Sequence, residues 1–254
     1  MRYYASVIWA LTRRALNEIL RVPGAAIPGI LAPSIFMVGL SGVFGRAAQL
    51  PGFDADDFRT FIVPVGLLQG AGFTGAATGV NLARDVEQGW FDRMLVAPVP
   101  RPVLLAGIVS SACFRALLPA TMLLVLAFAF GVDFPGIGAL LLATLLIAAL
   151  AAAAACWSVS LALRFRTQQA APLMQIGTFV AILFTTAYAP RELLSGWLRD
   201  CASLNPVTYL LEGVRQGFVG ELNWADTWPA LLAALGLLFV LGALATRAMA
   251  RTGR

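Results

Sequence analysis

Charged residues divide the chain into long apolar stretches that carry no charge. Runs of 24 uncharged residues separate Arg21 from Arg46, Arg59 from Arg84, and Arg166 from Arg191. Two further runs, of 30 and 20 residues, lie between Asp133 and Arg164 and between Asp226 and Arg247. Since about 20 apolar residues are enough for a helix to cross the hydrocarbon core of a bilayer, each run is long enough to form a span.

A sixth apolar run lies between Arg101 and Asp133, and Arg115 alone interrupts it. The pattern therefore predicts an all-α integral membrane protein with six transmembrane helices, at about 24–44, 60–80, 106–130, 137–162, 169–189 and 228–246. No linker or internal repeat marks a second domain. We expect a single domain over 1–254, with an interfacial helix at 1–23, a membrane core at 24–246 and a cytoplasmic tail at 247–254.

The first 23 residues have the pattern of an amphipathic helix. Apolar residues recur at helical spacing on one face and polar residues on the other, namely Ile8, Leu11, Ala15 and Ile19 against Arg13, Asn17 and Arg21. Such a helix lies in the membrane interface. Pro23-Gly24 is expected to end it and to turn the chain into the bilayer.

The longest stretch outside the predicted spans, 190–227, mixes polar and apolar residues. Asn205-Pro206 is a good helix start, because asparagine caps helix N-termini and proline suits the first helical position. We expect two short amphipathic helices separated by this break, lying on or dipping into the outer leaflet. Re-entrant backbone of this kind must be covered by protein or line a wet cavity.

The arginines predict the orientation in the membrane. An even number of spans puts both termini on one side, which carries 12 arginines and four acidic residues, against five arginines and nine acidic residues on the other. By the positive-inside rule, both termini and the 81–102 loop are cytoplasmic, and 190–227 faces out.

Composition excludes several functions. Apolar residues make up 59% of the chain, charged residues only 12%, and all 18 basic residues are arginine. Without lysine there is no P-loop and no Schiff-base chemistry, and without histidine there is no Ser-His-Asp triad or zincin site. We therefore expect no catalytic residue, cofactor or metal on this chain, and no nucleic-acid partner.

The loop 81–102 is the clearest candidate for function. It carries six charges of both signs together with Trp90, Phe91 and Met94, and it ends in Pro98, Pro100 and Pro102. As one short helix, it would place Arg84, Glu87 and Phe91 on a shared face. A plain solvated connector is the simpler interpretation, but aromatic residues and methionine on a charged helix favour docking into a groove of a protein partner.

One set of residues in this loop has a distinctive spacing: Arg84, Asp85, Glu87, Gly89, Phe91, Arg93, Leu95, Ala97-Pro98 and Arg101. This set resembles the signature of ATP-binding cassette (ABC) type-2 transporter permeases. The resemblance is closest to daunorubicin-resistance-like drug exporter membrane subunits. A second stretch, Asn205-Pro206-Val207-Thr208-Tyr209 with Glu212 and Arg215, resembles the family's segment before its last helix. The resemblance covers nearly the whole chain.

The resemblance implies an ATP-driven exporter in which this chain is the membrane subunit. Two permease copies, forming a homodimer, would make the pathway, and two ABC ATPase subunits that hold ATP and Mg would drive it. The family's coupling helix corresponds to about 81–95 of this chain. The residues expected to couple to the ATPase are Arg84, Asp85, Glu87, Gly89, Trp90, Phe91, Asp92, Arg93 and Pro98. A bacterial inner membrane is the expected location, among membrane lipids.

Polar residues on two spans are the candidates for lining the pathway. They are Gln69, Phe73, Thr74 and Thr78 on the second span, and Gln175, Phe179, Thr185 and Tyr188 on the fifth. Small residues on the second span, such as Gly75 and Gly79, favour close helix packing. Arg115 lies near the inner end of the third span, where we expect its side chain to snorkel or to pair between subunits.

Two other classes of function remain as alternatives. An ion-coupled transporter needs intramembrane carboxylates or histidines for its relay, and the predicted span cores hold no ionisable group of that kind. An intramembrane lipid-processing enzyme needs convergent carboxylates or histidines at one membrane face. The apolar spans favour a hydrophobic or amphipathic cargo, such as a drug, a lipid or a glycolipid.

Overall fold

The computed structural model describes residues 2–21, 27–49, 53, 55 and 57–252, and this part of the chain is all-α. Ten α-helices follow one another: α1 Arg2–Arg21, α2 Ile27–Phe44, α3 Phe58–Glu87, α4 Trp90–Val96, α5 Arg101–Ala129, α6 Ile137–Phe165, α7 Ala171–Leu183, α8 Gly196–Leu204, α9 Pro206–Val219 and α10 Trp224–Arg251. Short 3-10 segments lie at Gly45–Gln49, Gln168–Ala170 and Arg191–Leu193.

Four of these helices, α3, α5, α6 and α10, are long and apolar enough to cross a membrane. They contain the second, third, fourth and sixth predicted spans, but most extend further than predicted. The helix α3 reaches Glu87 rather than residue 80. The helix α10 reaches Arg251, so most of the tail predicted at 247–254 is the last turn of that helix.

The first and fifth predicted spans are shorter helices. The helix α2 has 18 residues. The helix α7 has only 13 residues and ends at Leu183, so the prediction of a helix to residue 189 is wrong. Asn205 gives the physical reason, because its Nδ2 donates to the carbonyl oxygens of Ala181 and Phe184 at 2.6 and 2.9 Å. These bonds satisfy carbonyls at the end of α7, where the helix no longer supplies partners.

The helix α3 lies at the centre of the bundle and packs against α2, α5, α6, α7 and α9. Its contact with α6 is the closest. A Cβ added at Gly75 would lie 2.5 Å from the Ala151 carbonyl oxygen, and one at Gly79 would lie 2.5 Å from Ser158. Ser158 Oγ also donates to the Gly75 carbonyl oxygen at 2.9 Å. The predicted role of the small residues in close packing is therefore confirmed at these positions.

The predicted N-terminal helix is present and packs along α5. Leu11 lies against Gly107, and the hydroxyls of Thr12 and Ser110 are 3.1 Å apart. Thr12 is buried, whereas Arg13 and Arg14 on the opposite face are exposed. The predicted break at Pro23-Gly24 lies outside the described residues.

The two predicted short helices before the last span are α8 and α9. Asn205 caps α9, its side-chain oxygen accepting from the Val207 amide at 3.0 Å, and Pro206 is the first helical residue. The helix α9 packs against α3, α6 and α10, so protein covers it as a re-entrant segment requires.

The bundle has two ends, which we name after the short helices that lie there. At the α4 end, Arg101 Nη1 at the start of α5 donates to the Met249 and Ala250 carbonyl oxygens at the end of α10, at 3.3 and 2.8 Å. At the α9 end, Arg59 Nη1 donates to the Phe130 carbonyl oxygen at 3.2 Å. The predicted coupling residues lie at the α4 end.

Candidate functional site

The charged stretch at the α4 end is two helices joined by a turn. The helix α3 ends at Glu87, and Gly89 then adopts a φ of 72°, in the left-handed region that glycine enters without steric cost. The expected single face shared by Arg84, Glu87 and Phe91 is therefore wrong, because this turn separates Phe91 from the other two. The predicted proline exit is confirmed, since α4 ends at Val96, before Pro98.

Phe91 faces into the protein rather than toward a partner. It is fully buried, in a cluster with residues of α3, α5, α6, α7 and α10, including Leu82, Leu105, Val159 and Met174. We expected Phe91 to be an aromatic anchor for the ATPase, and its burial contradicts that expectation. Instead, Phe91 holds α4 against the ends of the long helices.

Trp90 is the aromatic residue that α4 presents to the outside, with 50% of its surface exposed. Two guanidinium groups lie close to its ring, that of Arg14 at 5.3 Å from the centroid and that of Arg93 at 5.8 Å. Both distances are within the range of a cation–π interaction. The exposed indole and the two guanidinium groups near it form an aromatic surface with positive charge beside it.

Asp85 connects this feature to the N-terminal helix. Arg14 Nη2 donates to both carboxylate oxygens of Asp85, at 2.9 and 3.2 Å. Because the Arg14 side chain is 45% exposed, the ion pair contributes only about 0–1 kcal/mol to stability. Its main consequence is positional, since it sets α1 beside the end of α3.

Glu87 and Asp92 connect the same region to the chain between α6 and α7. Glu87 accepts from Thr167 Oγ1 at 2.8 Å and from the Gln168 amide and Nε2 at 2.9 and 2.5 Å. Asp92 lies 3.7 Å from Arg166 Nη2. The α4 end is thus one continuous surface made by α1, the α3–α4 turn and the α6–α7 connection. These partners could not be predicted from local sequence patterns, because more than 70 residues separate the members of each pair.

The remaining predicted coupling residues take different positions. Arg84 is half-buried near the end of α3, and Pro98 is exposed. Arg115 lies deeper, where the carboxamide oxygen of Asn81 accepts from both terminal nitrogens of its guanidinium at 3.3 Å. Arg115 also lines a cavity of about 60 Å³ beside Arg14 and Asp85.

The residues predicted to line a pathway are only partly brought together. Gln69 Nε2 donates to the Tyr188 hydroxyl at 3.3 Å, joining the two predicted groups at one point. The hydroxyls of Thr74, Thr78 and Thr185 instead donate to carbonyl oxygens of preceding residues. Gln175 is exposed on α7, while Phe73 and Phe179 are half-buried.

Sequence reasoning missed a polar cavity of about 690 Å³ at the α9 end. Glu212 accepts from Arg191 Nε and Nη2 at 2.8 and 2.7 Å, and also from Thr186 Oγ1 at 3.2 Å. The hydrogen bonds that Arg191 donates to the Glu212 carboxylate raise the pKa of the Arg191 guanidinium. The sequence signal for Glu212 was its place, with Arg215, in the segment after Asn205-Pro206 that resembles the ABC type-2 permease family.

Arg215 lies in the wall of this cavity and is buried. Its Nη1 donates to the Thr186 carbonyl oxygen at 2.8 Å, and its guanidinium lies 3.7 Å from the centroid of the Phe61 ring. Burial lowers the pKa of Arg215 to about 9, against the opposing charge of Glu212, so the side chain stays charged at neutral pH. The charged Arg215 side chain of α9 therefore holds the chain that follows α7 through its hydrogen bond to Thr186.

The long apolar helices, four of them long enough to cross a membrane, define a multi-pass membrane protein with a charged helical surface at one end. A profile of the ABC-2 type transporter family matches residues 6–219. The chain therefore belongs to the ABC-2 type transporter family, and it is a membrane subunit of an ABC transporter, a class that works with a partner ABC ATPase subunit.

Named relatives agree with the family. The chain is 29% identical to the Porphyra purpurea protein ycf38, which is named as a transport permease, over 93% of this chain and 86% of that protein. It is 27% identical to the Escherichia coli K12 protein YbhR, named as a multidrug ABC transporter permease, over 69% of this chain and 49% of that protein. It is 26% identical to the Mycobacterium tuberculosis protein DrrC, named as a doxorubicin resistance ABC transporter permease, over 89% and 79%.

Proposed function

We propose that this chain is the permease of an ABC exporter and that the ATPase docks on the α4 end. The observation that carries the proposal is α4 itself, which presents the half-exposed Trp90 with two guanidinium groups 5.3 and 5.8 Å from its ring centroid, while the buried Phe91 fixes the helix to the bundle. A helix that transmits force needs an exposed face that binds the partner and a buried side chain that fixes the helix to its own chain. The helix α4 has both.

The contacts of α4 and of the α3–α4 turn with the rest of the bundle would transmit a force from the ATPase to the membrane helices. Phe91 belongs to one buried cluster with residues of α3, α5, α6, α7 and α10, and Glu87 accepts hydrogen bonds from the α6–α7 connection. A displacement of α4 by the ATPase would therefore move the ends of several helices together. Close packing makes such interiors respond as rigid bodies rather than deform locally.

The arrangement in the membrane is part of the proposal. The helix α2 forms the first span, and α7 with the buried non-helical chain after it, to about residue 189, forms the fifth, beside α3, α5, α6 and α10; α1 lies in the interface. The excess of arginine over acidic residues at the α4 end favours a cytoplasmic location for this end and for both termini. The proposed location is a bacterial inner membrane, with two copies of this chain and two ATPase subunits that hold ATP and Mg.

The proposed cargo is a hydrophobic or amphipathic compound that leaves at the α9 end. A cavity of about 690 Å³ there is within the usual size of a small-molecule site, about 300–1,000 Å³. Gln69 and Tyr188 lie on the route toward it, since Gln69 is about 12 Å along α3 from Phe61 in the cavity wall. The names of YbhR and DrrC support a drug-like cargo.

Replacing Trp90 by alanine tests the docking surface. We expect the cognate ATPase to bind the Trp90→Ala variant about 30-fold more weakly, because loss of an aromatic hot spot costs about 2 kcal/mol or more. Co-purification and titration of the ATPase on the permease in nanodiscs would measure this. Trp224→Ala is the matched control, since Trp224 is 72% exposed at the opposite end.

Unchanged ATPase affinity in Trp90→Ala, or an equal loss in Trp224→Ala, would contradict docking on α4. The first result would leave the 81–102 loop a plain connector. The second would show that loss of an exposed tryptophan acts through the membrane or through folding.

A further inference from the structure

A basic cleft lies between the ends of α6 and α10. It has a volume of about 720 Å³, and four arginines line it, Arg164 and Arg166 from α6 and its end, and Arg247 and Arg251 from α10. No carboxylate is among the described residues that line it. The walls of the cavity therefore carry a formal charge of +4 from these four side chains.

The charges of this cleft are poorly compensated within the chain. Among the described residues, only Arg166 has a carboxylate within 4 Å, that of Asp92 at 3.7 Å, and both side chains are more than half exposed. The C-terminal dipoles of α6 and α10 favour basic residues, and this is the purely structural explanation of their presence. That explanation requires no convergence on one cavity, whereas these four side chains share one.

Apart from Ser160 and Thr252, the remaining wall of the cleft is formed by apolar or aromatic side chains. Leu161 of α6 and Leu244 and Ala248 of α10 line it beside the arginines. Leu244 continues toward Val240, which is 56% exposed on the outer surface of α10. Both helices are long and apolar enough to span the membrane, so the cleft lies where acyl chains meet lipid headgroups.

We propose that this cleft is a binding site for an anionic phospholipid. The phosphodiester and any further acidic group of the headgroup would lie among the four guanidiniums, which bind phosphate oxygens in bidentate geometry. The acyl chains would lie along Leu161, Leu244 and Val240. Basic pockets between membrane helices at the headgroup level are suited to such lipids.

The site requires neither the proposed export activity nor a particular orientation in the membrane. An acidic surface of a protein partner could also match the charge. The apolar wall that continues along α10 favours the lipid. One lipid molecule would cover both the arginines and this wall, whereas a soluble protein partner would contact only the arginines.

Lipid binding to the purified chain tests the proposal. Native mass spectrometry with equimolar phosphatidylglycerol and phosphatidylcholine should show a preference of at least about tenfold for the anionic lipid. The Arg247→Gln/Arg251→Gln variant should lose that preference. The matched control is Arg46→Gln/Arg199→Gln, which removes the same charge from exposed positions elsewhere and should keep it.

A further variant separates binding from folding. Arg247→Lys/Arg251→Lys keeps the charge, and we expect it to retain part of the preference with an unchanged elution volume. Equal binding of the two lipids by the wild-type chain, or an unchanged preference in the glutamine variant, would overturn the proposal. Loss of the ATPase with an unchanged lipid preference in the glutamine variant would assign the cleft to the protein partner and overturn it too.

Discussion

Phe91→Ala should destabilise the α4 end by about 3–5 kcal/mol, the usual cost of removing a buried phenylalanine side chain. Phe91 is fully buried and belongs to a cluster that also holds residues of α3, α5, α6, α7 and α10. Its loss would leave a cavity that no single neighbour can fill. Hydrogen exchange of residues 84–100 and thermal unfolding in detergent would measure the effect.

Val96→Ala is the control for this variant, because Val96 lies on the same short helix with 86% of its surface exposed. We expect its effect on unfolding to be within about 0.5 kcal/mol. If Phe91→Ala unfolds like the wild type and exchange at α4 is unchanged, Phe91 does not hold α4 to the bundle. The proposed route of force through α4 would then be wrong.

Gly75→Ala and Gly79→Ala should each cost about 1–3 kcal/mol, although alanine is the better helix former. Each new Cβ would lie 2.5 Å from α6, at the Ala151 carbonyl oxygen or at Ser158. Because these neighbours are close to or part of the backbone, the two helices must separate. Separation would also weaken the bond from Ser158 Oγ to the Gly75 carbonyl oxygen.

Gly236→Ala is the matched control in a helix interior, because a Cβ at Gly236 would have nothing within 4 Å. Unfolding in a mild detergent with a titrated denaturant would compare the three variants. We expect Gly236→Ala to be neutral or more stable by up to about 1 kcal/mol. Equal behaviour of all three would mean that α3 and α6 do not need glycine at their contact.

The helices that are apolar over their whole length could be predicted from the sequence. Long uncharged runs fixed the approximate positions of α3, α5, α6 and α10, and Asn205-Pro206 correctly predicted the start of α9. The end of α7 could not be predicted in this way. It depends on Asn205, 22 residues beyond Leu183 in the chain, whose amide satisfies the last carbonyls of that helix.

The candidate site could be predicted as a region, but not as an arrangement. Charge and aromatic residues identified the 81–102 loop, yet the sequence did not show which of Trp90 and Phe91 faces outward. The turn at Gly89 decides this, and the burial of Phe91 that follows depends on residues of several helices that are distant in the sequence. The contacts of Glu87 with Gln168 and of Glu212 with Arg191 join distant segments, for which local periodicity carries no information.

Photo-cross-linking from two equally exposed positions tests the central claim most directly. Val96 on α4 and Leu204 at the end of α8 are each 86% exposed and lie at opposite ends of the bundle. A photoreactive amino acid at either position, in membranes that contain the cognate ABC ATPase, would report which end the ATPase contacts. If the ATPase docks on α4, position 96 cross-links to the ATPase and position 204 does not; a cross-link from position 204, or from neither position, would show that the ATPase does not dock there.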